Sequence, residues 1–170
     1  MREGADFQTP PTVCEFMAGL IPEGVITILE PTPGAGNLVR AIENKGRYQV
    51  TAPENYFTLD KAARFDCIVM NPPFSAKTAY GVPEGYEKPG MRLGYSILQE
   101  CMQRSNHVIA LMPWFTITDS DVRLRAIQEY GLKSLTALPR KTFGYTRIQT
   151  VVFELEKGYS GSTIFNSIQL

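Results

Sequence analysis

The chain has 170 residues, 44% hydrophobic and 20% charged, with 17 basic side chains balanced by 17 acidic ones. Such a length and mixture fit one domain with a real core, and zero net charge argues against an indiscriminate nucleic-acid binder while permitting a local basic patch. Three cysteines, Cys14, Cys67 and Cys101, sit singly in apolar runs, so neither disulfides nor a metal site is expected; no run is long enough to span a membrane, the start lacks the apolar core of a signal peptide, and a reducing cytoplasm is the expected setting.

In chain order, Met1 to Gln8 read as a polar entry arm. Thr9-Pro10-Pro11 then reads as a helix start, with Thr9 the N-cap and Pro10 at the first helical position. Val13, Phe16, Met17, Leu20 and Ile21 share one helical face, and Pro22-Glu23-Gly24 ends the helix. Val25 to Leu29 is a strand that runs into Glu30-Pro31-Thr32-Pro33-Gly34-Ala35-Gly36-Asn37 and then a helix carrying Leu38, Val39, Ala41 and Ile42. Glycines in such a turn let the backbone approach a ligand closely. A phosphate-binding Walker loop needs a Lys-Ser/Thr pair where Asn37-Leu38 stands, and a dinucleotide fingerprint needs a small residue where Val39 stands. What remains is acid-x-x-x-Gly-x-Gly, the form of an S-adenosylmethionine loop, in which Glu30 accepts from the amino group of the methionine moiety. The plain alternative is a tight strand–helix turn with no ligand.

Tyr48 to Ala52 reads as a strand, with Pro53-Glu54-Asn55-Tyr56-Phe57 at its end. Only Thr58 to Arg64 separates that segment from the next apolar run, Phe65 to Met70. This leaves room for a short connection but not for another strand and helix. Phe65 to Met70 reads as a buried strand, stopped by Asn71-Pro72-Pro73-Phe74 because neither proline has a backbone N–H for a ladder. In an open α/β sheet the carboxyl end of a central strand is where ligands bind. The Asn71 amide and the Pro72 carbonyl offer two acceptors side by side, which suits an NH2 group, and Phe74 offers a flat face for a base. Together they suit a planar exocyclic amine, as methylation of adenine N6 requires.

Residues 75–90 are rich in Gly, Pro, Lys and Tyr, and Lys77, Tyr80, Tyr86, Lys88 and Arg92 follow no apolar period. They read as a long flexible loop, either contacting phosphates and bases or simply solvated. Leu93, Ile97, Leu98, Cys101 and Met102 form a helical stripe, and Val108 to Met112 a buried strand ended by Pro113-Trp114-Phe115. His107 reads as structural. Asp119-Ser120-Asp121 caps a helix reaching Tyr130 and closed by Gly131. Leu132 to Leu138 and Ile148 to Leu155 are strands joined by the basic, aromatic hairpin Pro139 to Arg147, so the last of them should run antiparallel. Residues 158–170 look like a loose tail, partly strand, after a catalytic domain of residues 1–157.

Asn71-Pro72-Pro73-Phe74 resembles the Asp/Asn/Ser-Pro-Pro-aromatic motif of the S-adenosylmethionine-dependent amino-methyltransferases. Leu138-Pro139-Arg140-Lys141-Thr142-Phe143 resembles a leucine-proline-x-x-x-phenylalanine segment of adenine methylases such as the modification subunits of type I restriction systems. With the Thr-Pro helix and the glycine loop, these motifs stand in the order of the gamma class, and the resemblance covers roughly Thr9 to Lys157. It implies a class I methyltransferase, Rossmann-like α/β fold: one mostly parallel sheet with helices on both faces. It implies a DNA adenine-N6 methyltransferase with Asn71, Pro72 and Phe74 catalytic and Pro73, Lys77 and Phe143 at the substrate. Its cofactor, S-adenosylmethionine, falls to Thr9, Pro10, Glu30, Pro31, Gly34, Gly36, Asn37 and Asn71. The chain departs from the pattern in its missing strand–helix unit, so one turn serves two roles: Glu54 to the ribose, Asn55 and Phe57 around the adenine. The tail is too short for a target-recognition domain. Expected partners are DNA, a specificity subunit or a second copy. The alternatives are an RNA or protein amino-methyltransferase with the same turn, or a weakly active accessory subunit.

Overall fold

Apolar runs too short for helices alternate with amphipathic stretches, and in the computed structural model, which describes residues 8–79, 81–86, 90–144 and 146–169, they build one seven-stranded sheet. The strands are β1 Thr27–Leu29, β2 Gln49–Thr51, β3 Cys67–Met70, β4 His107–Pro113, β5 Leu132–Ala137, β6 Thr150–Glu156 and β7 Ile164–Ser167. Their spatial order is β2-β1-β3-β4-β6-β5-β7. β2, β1, β3 and β4 are parallel; β6 runs antiparallel to both β4 and β5, and β7 is parallel to β5.

Central strands buried on both faces read as continuous apolar runs. In β3 all four residues are buried, Cys67 and Val69 on one face and Ile68 and Met70 on the other. The helices α1 Pro11–Gly19 and α2 Asn37–Lys45 cover the first face. The second is covered by α3 Leu93–Arg104 and by Ile127 of α5 Asp121–Tyr130. Replacing Phe153, fully buried on β6, with Ala should cost about 3–5 kcal/mol. Asp66 ties β1 to β3, its Oδ2 accepting from the Ile26 and Thr27 N–H groups at 2.9 and 2.8 Å.

β2 stands at the sheet edge, and between it and β3 lies only a 3-10 turn at Tyr56–Thr58, so the connection is as short as the spacing predicts. Other details differ from expectation. The N-cap of α1 is Pro10, not Thr9, and no side chain caps it; Pro11 takes the first helical position. A short helix, α4 Phe115–Thr118, follows β4. Residues 75–79 and 81–86 are not a solvated loop: Ala76, Ala79, Val82 and Tyr86 pack on the core. Tyr86 donates to Glu100, which also accepts from the Tyr56 hydroxyl at 2.7 Å. Tyr80 and Lys88 lie outside the described residues. In the segment expected as a loose, partly stranded tail, Ile164–Ser167 forms β7 with every residue exposed. Among the described residues no helix is long and apolar enough to cross a membrane.

Candidate active site

The chain turns out of β1 and out of β3 at neighbouring points, because Leu29 pairs with Ile68 in parallel register. The Glu30 turn and the Asn71 turn therefore meet above the carboxyl ends of two adjacent strands. Gly34 and Gly36 both take positive φ, 52° and 82°, and Gly36 is the N-cap of α2. A side chain at Gly34 would be strained and would meet Gln8, whose amide lies 2.8 Å from where a Cβ would sit.

Hydrogen bonds between distant segments stitch this corner. Asn71 Nδ2 donates to Thr9 Oγ1 at 2.8 Å. Thr32 Oγ1 donates to the Asn71 carbonyl at 3.2 Å, and Asn37 Nδ2 to the Thr9 carbonyl at 3.2 Å. The Ala35 N–H, inside the glycine turn, donates to Gln8 Oε1 at 3.1 Å. Arg40 closes the turn from α2, donating to the Ala35 carbonyl at 2.9 Å and to Asn37 Oδ1. Thr9, expected to cap its own helix, instead fixes the Asn71 amide.

That bond decides what Asn71 can do. Its NH2 is engaged, so the amide orientation assigned by the network turns Oδ1 outward as an acceptor with no partner among the described residues. The Pro72 carbonyl likewise receives no N–H among the described residues. Phe74 follows, half-buried, packed on the same apolar cluster that holds Phe143 at 7% exposure. Gly94 lets the start of α3 press on this turn: a Cβ there would stand 3.3 Å from both the Pro73 carbonyl oxygen and Phe74 Cα.

Glu30 is 1% exposed, accepts from the Thr32 N–H at 2.9 Å and pairs with no cation among the described residues. Burial pushes its carboxyl up to about 8, against the pull of the Thr32 bond. A buried acid without a counter-charge beside a glycine turn fits a ligand's ammonium group.

The other expected cofactor contacts stand apart. Glu54 is exposed at the end of β2. The Asn55 side chain turns back to accept from the Phe57 N–H at 3.0 Å, and its Nδ2 reaches the Gly81 carbonyl at 3.5 Å. Phe57 packs edge-on to Tyr86 with ring centres 4.8 Å apart, over the opposite face of the sheet. Lys77 is exposed in a 3-10 turn, Pro10 is the N-cap of α1 and Pro31 is buried next to Glu30. Cys67 is buried in β3 with its thiol pushed up to about 12 by burial, which makes it a poor nucleophile. Gln8 and Thr32 carry no local mark in sequence because their partners lie 27 and 39 residues away, and Arg40 reads simply as a polar position of α2 although it bonds back to Ala35 and Asn37.

No family model matches the sequence, and no curated protein matches it. Solved structures do match its fold. A modification subunit assigned to a type I restriction enzyme from Vibrio vulnificus aligns at 20% identity and a TM-score of 0.68, covering 96% of this chain and 47% of that one. A protein from Listeria monocytogenes assigned as a class I S-adenosylmethionine-dependent methyltransferase aligns at 16% identity and a TM-score of 0.71, over 96% and 67% of the two chains. The modification–methyltransferase subunit of a type I system from Streptococcus thermophilus aligns at 16% identity and a TM-score of 0.66, over 98% and 48%. The chain thus spans about half the length of the modification subunits it matches. Its fold is the Rossmann-like fold of class I methyltransferases.

Proposed function

We propose that the protein transfers a methyl group from S-adenosylmethionine to the exocyclic N6 amine of adenine in DNA. The observation that carries this reading is the Asn71 amide, whose NH2 is held by Thr9 so that its oxygen is left as an acceptor in the same turn as the Pro72 carbonyl. Two acceptors on one NH2 draw the nitrogen lone pair out of the ring, and because they are fixed beforehand they need no reorganisation as charge develops. Phe74 supplies the stacking face and Phe143 braces it through their common cluster. In duplex DNA the base must leave the stack, at about a few kcal/mol, and stacking on Phe74 offsets part of that cost.

The cofactor, when bound, supplies an electrophilic methyl on a sulfonium whose thioether is already a good leaving group. Glu30 holds its amino group; Gly34 and Gly36 let the backbone approach; Thr9, Pro10, Pro31, Asn37 and the Asn71 backbone complete the corner. Glu54 faces the ribose, the turn that the Asn55 and Phe57 side chains brace borders the adenine, and Pro73 and Lys77 border the substrate. We assign the catalytic unit to residues 1–157. The matched modification subunits are about twice as long, which supports a partner, a specificity subunit or a second copy, for target selection.

The test offers unmethylated DNA, RNA and protein side by side with labelled cofactor and identifies the modified residue by mass spectrometry. Label on adenine N6 of DNA is expected. Label on RNA or on a glutamine amide would keep the chemistry and replace the substrate. Cofactor binding without label on any of the three would favour an accessory subunit.

A further inference from the structure

We propose that the cavity bordered by Phe74, on the α3 side of the catalytic turn, is a second nucleotide subsite. It takes the residue adjoining the target base and reads that residue through Asp119. The proposal rests on the nucleic-acid reading above and, Phe74 apart, concerns residues that reading leaves unused. The cavity measures about 570 Å³ and opens above the ends of β3 and β4, between the start of α3 and the α4–α5 pair. That volume falls in the range that takes a small organic ligand, about 300–1,000 Å³.

Its walls have the composition of a nucleotide site. Phe74, Tyr95 and Phe115 offer aromatic surface, and Arg92, Arg123 and Asp119 supply two positive charges against one negative. Arg123 is set in place before any ligand arrives. Its Nε donates to the Thr116 carbonyl at 2.7 Å, its Nη2 to the Phe115 carbonyl at 2.8 Å, and its guanidinium carbon lies 5.7 Å from the centre of the Tyr95 ring. Neither Nη1 of Arg123 nor the exposed Arg92 side chain at the rim has a partner among the described residues. A purely apolar ligand would leave these charges unanswered. A phosphate joined to a flat base answers all of them: the oxygens to the arginines, the ring to the aromatics. Asp119, exposed at the edge, is an acceptor only, so it favours a base whose exocyclic amine offers two hydrogens over thymine, whose one donor is the ring N3–H. Phe74 belongs to both places, since it lines this cavity and packs on the cluster of Phe143. Any strand that brings a base to Asn71 carries its next nucleotide within reach of the far side of that ring.

The test is an NMR titration of the labelled protein with S-adenosylhomocysteine, with each deoxynucleoside 5′-monophosphate and with inorganic phosphate. Nucleotides should shift the amides of Gly94, Tyr95 and Thr116 saturably and leave Gly34 and Gly36 unmoved. Arg92→Ala should weaken this binding about tenfold. Asp119→Asn should remove a preference of about fivefold or more for amine-bearing bases over thymidylate. The same variant should lose discrimination at one position beside the target in methylation of short oligonucleotides. Absence of shifts up to about 10 mM nucleotide, or equal shifts and affinity with phosphate alone, would overturn the subsite. The S-adenosylhomocysteine arm reports separately on the cofactor: silence at Gly34 and Gly36 with shifts in the cavity would sink the methyl-transfer reading and leave the nucleotide site standing.

Discussion

The two ends of the candidate cofactor site are made in different ways. At the transfer end, bonds between residues 27 to 62 positions apart tie the Thr9 segment, the glycine turn and Asn71 into one corner. At the end after β2, Asn55 bonds mainly to a residue two positions on, and Glu54 stands in solvent. The short path from β2 to β3 explains the second end, for there is no further strand or helix to wall it. The lesson is a division of labour. The Asn71 corner is fixed by the fold through long-range bonds, whereas the end after β2 stands open, with Glu54 in solvent. Mutations at the first end should show in the rate or in the hold on the methionine group, and mutations at the second should show little.

The largest of the expected effects in binding falls on Glu30. Glu30→Gln should weaken S-adenosylmethionine about 10- to 100-fold, measured by calorimetry, because it removes a charged partner from a buried ammonium. Because the carboxyl is raised to about 8 from an ordinary value of 4.5, the empty protein carries a protonated Glu30 at neutral pH. Binding an ammonium favours the ionised form, so wild type should release a proton on binding and bind more tightly as pH rises from about 6 to 8, while the variant stays flat. The stability consequence has the opposite slope. Above about 4.5 the unfolded chain gives up a proton that the folded one keeps until about 8. Stability of the empty protein should therefore fall with rising pH across that window and level off above it. Thermal melts of Glu30→Gln should lack that slope; a parallel slope in both proteins would place its origin elsewhere.

Thr9→Val comes next. It keeps the shape and removes the acceptor that fixes the Asn71 amide, so transfer should slow about 5- to 30-fold with cofactor affinity changed less than about threefold. A wild-type rate would show that Asn71 needs no such brace. Smallest is Glu54→Gln, where an exposed carboxylate on a ribose should matter by about threefold or less. A loss near that of Glu30→Gln would mean that the open end closes firmly around its ligand and would break the comparison.

Much of this architecture was legible in the chain because it rests on local patterns. A buried strand stopped by paired prolines, an acid followed by Gly-x-Gly and a hairpin too short for a crossover each follow from neighbouring residues. Counting the residues between Phe57 and Phe65 was enough to foresee the absent strand–helix unit. What escaped depends on partners far along the sequence. Thr9 before Pro10 has the local signature of a cap, yet its hydroxyl is taken by Asn71, sixty-two residues on. Ala79, Val82 and Tyr86 keep no regular spacing, so their packing against the core cluster that α3 joins leaves no periodic trace. The short strand β7 has no buried face to set an alternation, and the cavity beside Phe74 draws its walls from three separate stretches.

The central claim is that the Asn71 amide activates an amine rather than merely shaping the turn. Single-turnover methyl transfer to DNA by Asn71→Ala, alongside the cofactor Kd of the same preparation, tests it most directly. The account predicts a rate lower by about 10²–10³-fold with cofactor affinity within about threefold of wild type. Equal rates for the two proteins, or a rate loss wholly matched by lost cofactor binding, would contradict it.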